Sequence, residues 1–336
     1  MTSSSPACAD CPAVWLDEPR FDSIGDSVSI PEGVVSSLAE DQQGFLWIGT
    51  AGGLVRYDGH RFRLHGSRRG DPNSLSAGFI RALLVARDGR LWVGTESDGL
   101  AVYDPSLDRF EVFRSESDVE QAAGNRLSAG SVRALAETAD GHIWVGIIGG
   151  GLDELDPRSG EIRHHRPGAP GGLNDDRVQS LLVDRDQTLW VGTWDGLRRR
   201  RAGSDRFEPV VVGTDVATSL GGEIINQLFQ AADGQIWVGT QAGDLLRIDP
   251  ASGVGHAVAR ADSETGARRS SVYALTQPNA SQLWVGRASG IEVRDAGDGR
   301  LLRALRHDPA RPNGLAGNEV RALLRDRAGL IWAGGY

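Results

Sequence analysis

The sequence contains no lysine: all 36 of its Lys and Arg residues are arginine. We read this as the mark of an arginine-favouring genome rather than of a special need for the guanidinium fork. Cysteine is almost as scarce, with only Cys8 and Cys11 in "ACADCPAVW". One pair cannot complete a four-ligand zinc centre, and no strand–helix–strand pattern surrounds it as in a thiol oxidoreductase. Residues 1–19 read as an unstructured leader, with a labile disulfide as the lesser alternative. No stretch approaches the roughly twenty apolar residues a transmembrane helix needs. The opening "MTSSSPACADC" also lacks the basic start and apolar core of a signal peptide. An excess of positive charge is missing too: 36 cations face 45 carboxylates, a net charge of −9, which argues against a nucleic-acid surface. No cofactor or metal site is expected.

What the sequence does contain is one phrase written repeatedly. "GRLWVGTESDGLAVYDP" at 89–105 returns as "GHIWVGIIGGGLDELDP" at 141–157 and "GQIWVGTQAGDLLRIDP" at 234–250. Self-similarity at a fixed spacing decides architecture before any single residue can be read. Trp47, Trp92, Trp144, Trp190, Trp237, Trp284 and Trp332 recur every 45 to 52 residues, each with a glycine two positions later. Within a unit, apolar runs of four to seven residues alternate with turn chemistry. "IRALLVA" at 80–86 is a first strand, Asp88-Gly89 a hairpin turn, "LWVG" a second strand, "LAVYDP" a third that ends at proline, and "RFEVF" at 109–113 a fourth.

A four-stranded antiparallel unit of about 45 residues, repeated, is the blade of a β-propeller. The expected fold is therefore all-β: a seven-bladed propeller over residues 20–336 with four-stranded blades, the last incomplete. The tryptophans are expected to pack between blades, and the glycine two residues on to leave room for the neighbour. Arg20-Phe21 matches the fourth-strand pairs Arg61-Phe62, Arg109-Phe110 and Arg206-Phe207. Residues 20–30 are thus expected to serve as the outer strand closing the last blade, whose pattern stops at "IWAGGY". The arginines Arg198–Arg201 read as a solvated edge strand.

The repeated D-G-x-[LI]-W-[VI]-G-T-x-x-G-L-x-x-[YIL]-D-P resembles the two-component regulator propeller repeat, and does so from about residue 20 onward. That resemblance implies an extracytoplasmic, periplasmic sensor region of a bacterial hybrid histidine kinase or diguanylate cyclase, which dimerises in some parents. It also implies that this chain is one part of a longer protein, because no kinase, phosphoacceptor or cyclase motif is present. The expected partner is a small molecule, a carbohydrate being one class. The alternatives are a protein-binding scaffold and an enzyme similar to streptogramin lyases. A lyase needs a histidine base with acidic metal-binding partners on one face. The seven histidines fall mainly in expected outer strands or opposite-face turns, His164-His165 on a solvated face.

In a blade, the second-to-third turns and the links to the next blade share one face, and these are the variable letters. The candidate ligand-binding residues there are Glu96, Asp98, Trp194, Asp195, Gln241 and Arg287. Trp194 stands outside the repeat position: its indole either stacks on a ligand or packs under a neighbouring loop. Arg81, Arg133 and Arg321, each in a "[VI]-R-A-L" first strand, either line the channel for an anionic group or pair with carboxylates of adjacent blades.

Overall fold

A computed structural model describes residues 19–26, 28–67, 74–75, 78–115, 126–212, 220–258 and 270–336. The leader and its two cysteines lie outside the described residues except at Pro19. Alternating apolar positions and turn glycines fold each repeat into an antiparallel meander. In the first, Val35–Glu40, Leu46–Thr50, Gly53–Tyr57 and Phe62–His65 pair in that order from inside to outside. The 80–86 hairpin turns as expected, with Gly89 at φ 86° and the Arg90 N–H donating to the Asp88 carboxylate at 2.9 Å.

Among the described residues six such four-stranded sheets are present, together with one two-stranded sheet of Val320–Arg325 and Ile331–Gly335. This corrects the expectation of a seven-bladed propeller whose incomplete last blade takes its outer strand from residues 20–30: the structure has six four-stranded blades and a two-stranded partial sheet. The described residues of that segment pair with no strand. The Phe21 N–H donates to the Asn313 carbonyl at 3.1 Å, and its ring packs 6.4 Å from Trp284. Ile30 packs against the first blade's inner residues. Two apolar anchors flanking Gly25, with φ 78°, satisfy burial without a ladder, so the Arg-Phe match to outer strands was a match of packing and not of pairing.

The ring closes through its inner strands. Val35–Glu40, Ile80–Val85, Val132–Glu137, Val178–Val183, Ile225–Gln230, Val272–Asn279 and Val320–Arg325 neighbour one another in cyclic order, the last touching the first. The repeat glycine makes this possible. A Cβ on Gly239 would lie 2.3 Å from Cγ1 of Val272 in the next blade, and one on Gly334 the same distance from Cγ1 of Val35. Across that seam the Arg327 N–H donates to Glu40 Oε2 at 2.8 Å, and Tyr57 meets Trp332 edge-on at 6.1 Å.

Each repeat tryptophan packs on the blade that follows it. Trp47 lies among Leu91, Val93 and Tyr103, Trp190 among Ile225, Ile236 and Val238, and Trp284 beside Leu315 and Val320. Five of the seven are at most 1% exposed, so they are the cement between sheets. Arginine joins them. Arg56, Arg199 and Arg247 stand cross-strand from Trp47, Trp190 and Trp237, with guanidinium carbons 5.9 to 6.0 Å from the indole centroids. The 198–201 run is therefore not a solvated edge: Gly196–Arg200 is a third strand paired on both sides, Arg199 is buried, and Arg200 covers Trp144 at 5.1 Å.

The indole N–H groups reveal an uneven feature. Six positions before the tryptophan, Asp41, Asp184 and Asp326 accept from Trp47, Trp190 and Trp332 at 2.7, 2.8 and 2.8 Å. The same carboxylates also accept turn N–H groups, as Asp184 does from Asp186 and Thr188. In two blades alanine takes that place, at Ala86 and Ala231, and the buried Nε1 of Trp92 and of Trp237 has no partner. Ala231→Asp should consequently raise stability by about 1 kcal/mol in urea titration. A loss of stability would show that the turn there cannot satisfy a carboxylate.

Candidate functional site

The inner strands all run the same way past the axis, so their equivalent residues form rings. The second residue of each turns into the channel: Ser36, Arg81, Arg133, Gln179, Asn226, Tyr273 and Arg321 line a funnel of about 480 Å³. Among the described residues its lining holds no histidine, cysteine or carboxylate. Beside several of these stands the residue fifteen positions later, just past the second strand. It is fixed there by a backbone bond: the N–H groups of Glu96, Trp194 and Gln241 donate to the carbonyls of Phe79, Arg177 and Ile224 at 2.9, 3.1 and 2.9 Å. Each of these blades thus offers two side chains to one mouth, an inner one on a strand and an outer one on a turn.

Six of the residues singled out in the sequence meet here. Glu96 bridges Arg81, which bonds it through Nε, and Arg133, whose Nη2 is 2.9 Å away. Arg81 lies on the Phe79 ring at 3.7 Å. Burial first, and then repulsion from Arg81, pulls the Arg133 pKa below its ordinary value, against the pull of Glu96. Trp194 is half-buried, its indole N–H donating to Gln179 Oε1 at 3.3 Å, with Arg177 4.8 Å above the ring. Gln241 is exposed and accepts from Asn226 Nδ2 at 2.8 Å. Arg321 lies between the rings of Tyr273 and Tyr336, at 4.9 and 5.1 Å, and pairs with Glu319 at 2.5 Å.

Three candidates do not join the ring. Asp98 caps its own turn, donating its N–H to Thr95 Oγ1 at 2.9 Å and accepting from Ser97. Asp195 is exposed and accepts the Gly222 N–H at 2.6 Å, tying two loops together. Arg287 is 2% exposed and occupies the last position of a second strand, where Thr50, Thr95, Thr193 and Thr240 stand in other blades. Strand alternation turns that position into the sheet, so Arg287 donates to the Gly243 and Ser270 carbonyls and pairs with Glu292 instead of reaching the rim. Conversely, Ser36, Gln179, Asn226 and Tyr273 were not singled out. The signal for them was the column after the first-strand valine or isoleucine, visible once the repeats are superposed.

The described histidines are absent from the funnel lining. His165 Nε2 and His142 Nδ1 lie 3.0 and 3.1 Å from Glu154, and in the outer strand Ile162–His165, His164 is exposed, as expected, while His165 packs inward. Burial pushes the Glu154 carboxyl up, but His165, His142 and Arg200 more than offset this and hold it at about 2. Ser128, His164 and Asp153 also cluster, yet Ser128 Oγ and Asp153 both approach the same His164 Nδ1, and Ser128 bonds Asp153 directly. A nucleophile relay needs opposite ring nitrogens. Among the described residues no group of three His, Cys, Asp or Glu is placed to hold a metal ion, and no helix is long and apolar enough to cross a membrane.

The model of the family described as two component regulator propeller matches residues 29–52, 74–97, 126–149, 172–195, 219–242 and 314–336. Each match begins six residues before an inner strand and runs through the tryptophan and glycine. The blade holding Arg287 is passed over. The fold is similar to an extracellular domain assigned to a hybrid two component system of B. thetaiotaomicron, at 24% identity and TM-score 0.75, over 94% of this chain and 38% of that one. A second such domain from the same organism gives 19% and 0.77, over 95% and 41%. This chain thus spans well under half the length of those domains. Virginiamycin B lyase from Staphylococcus aureus is similar at 14% identity and TM-score 0.64, over 90% and 92%. What these share with the chain is the propeller fold. A search of curated protein sequences finds no match.

Proposed function

Since the chain belongs to the two component regulator propeller family, we propose that it is the sensor propeller of a bacterial transmembrane signalling protein. It stands outside the cytoplasm and reads a small hydrophilic molecule at the funnel mouth. The observation that carries this reading is the contrast between framework and rim. The same tryptophan and glycine recur in every blade, whereas the channel-facing column reads Ser, Arg, Arg, Gln, Asn, Tyr, Arg. A rigid scaffold that holds unlike polar groups around one concavity is suited to recognition. The B. thetaiotaomicron domains, assigned to the extracellular part of two component systems, support the placement. A lyase reading draws support from the similarity to virginiamycin B lyase alone, because no histidine is among the described residues that line the funnel.

The test is a thermal-shift and tryptophan-fluorescence screen of the purified chain against common neutral and acidic mono- and disaccharides. At least one sugar should raise the melting temperature, and Trp194→Ala should weaken its binding by tenfold or more. If no sugar shifts the melt, or the shift survives Trp194→Ala and Asn226→Ala unchanged, the mouth is not the sensing site.

A further inference from the structure

The ring is not uniform in charge. Taken in cyclic order, Arg321, Ser36, Arg81 and Arg133 occupy one contiguous arc, and Gln179, Asn226 and Tyr273 the other. On the first arc three guanidinium groups meet two carboxylates, Glu96 and Glu319, and Glu96 is shared between Arg81 and Arg133. The buried Nε atoms of Arg133 and Arg321 have no hydrogen-bond partner. Ser36 adds no charge, and its single hydroxyl hydrogen is shared between the carbonyls of Gly49 and Ile80. Among the described residues this arc carries one more positive charge than negative, at a concave, partly desolvated wall where an anion interacts more strongly than in open water.

The second arc is neutral. Gln179 uses its Oε1 on Trp194, and Asn226 uses its Nδ2 on Gln241 and on the Val272 carbonyl at 3.2 Å. Gln179, Asn226 and Tyr273 line the funnel, and the Gln179 amide nitrogen, the Asn226 amide oxygen and the Tyr273 hydroxyl remain as donors and acceptors suited to hydroxyl groups. Trp194 stands above them with one apolar face.

We infer that the ligand is a polyhydroxylated anion, of the chemical class of a sugar acid. Its negative group lies against Arg81, Arg133 and Arg321, and its hydroxyls lie toward Gln179, Asn226 and Tyr273. This rests on the sensing role proposed above and narrows it to one class. A volume of about 480 Å³ suits one or two sugar rings.

Isothermal titration of the full chain with glucuronate, galacturonate and gluconate, each against its neutral parent sugar and against inorganic sulfate, provides the test. At least one acid should bind tenfold or more tighter than its neutral parent and than sulfate. Arg133→Gln and Arg321→Gln, each checked for an unchanged melting temperature, should each abolish the preference for the acid. Neutral sugars binding as tightly as the acids would overturn the inference while leaving a sensing role intact. Sulfate binding as tightly as the acids would remove the hydroxyl arc from recognition and overturn it too, as would an acid preference that survives both variants. No binding by any acid would also overturn it.

Discussion

Glu292→Gln should destabilise the propeller by about 3–5 kcal/mol in guanidinium titration, the cost of leaving buried charge without its partner. Glu292 is 7% exposed and lies between Arg287 and Arg294, themselves 2% and 1% exposed, with Nε atoms 2.7 and 2.6 Å from its two oxygens. Burial pushes its carboxyl up, but the two guanidinium groups override that and hold it below the usual carboxylate range. The neutral amide would keep the shape and remove the negative charge that the two cations share. The cost of a buried ion group lies in its desolvation, so removing all of it is milder than removing one member. A triple variant, Arg287→Met with Glu292→Leu and Arg294→Met, should therefore recover most of the loss. A loss below about 1 kcal/mol for the single variant would mean that the arginines' other partners, the Gly243, Ser270 and Gly299 carbonyls among them, suffice without Glu292.

Trp144→Ala should cost about 3–5 kcal/mol, because the cavity left between two blades cannot collapse when sheets on both sides hold it open. The indole is 1% exposed among Leu152, Leu173, Val178 and Phe207, and it donates to Thr138 Oγ1 at 3.2 Å. Trp194 is the control within the same chain. It is half-buried at the channel mouth and holds only Gln179 and Arg177, so Trp194→Ala should cost about 1 kcal/mol or less, as surface changes do. Denaturant titration of the two variants side by side separates cement from rim. Equal losses would place Trp194 in the core and take it out of the recognition site.

The repeat tryptophans and glycines were legible as interblade contacts because both demands are local to one column. A large ring and, two residues on, no side chain fall on one face of one strand, and every unit repeats them. The rim was half legible. Arg81, Arg133 and Glu96 could be picked out by type, but their shared geometry depends on the meander bringing residues fifteen apart into line. Arg287 shows the limit most plainly. Charge and turn position pointed to the rim, and one step of strand alternation put it in the core, where it needs Glu292 to be tolerated.

The repeat period and the turn residues by themselves determined that the chain is a propeller of four-stranded blades, since no other arrangement buries both faces of so many short, two-sided sheets. How the ring closes was decided only in the tertiary structure. An Arg-Phe pair reads the same whether its phenylalanine sits in an outer strand or plugs a gap beside Trp284. What separates the two is whether backbone N–H groups find a ladder, and that depends on strands nearly three hundred residues away. The charge of the channel mouth was likewise a tertiary outcome, because it belongs to seven separate strands that meet only when Val35 seats against Gly334.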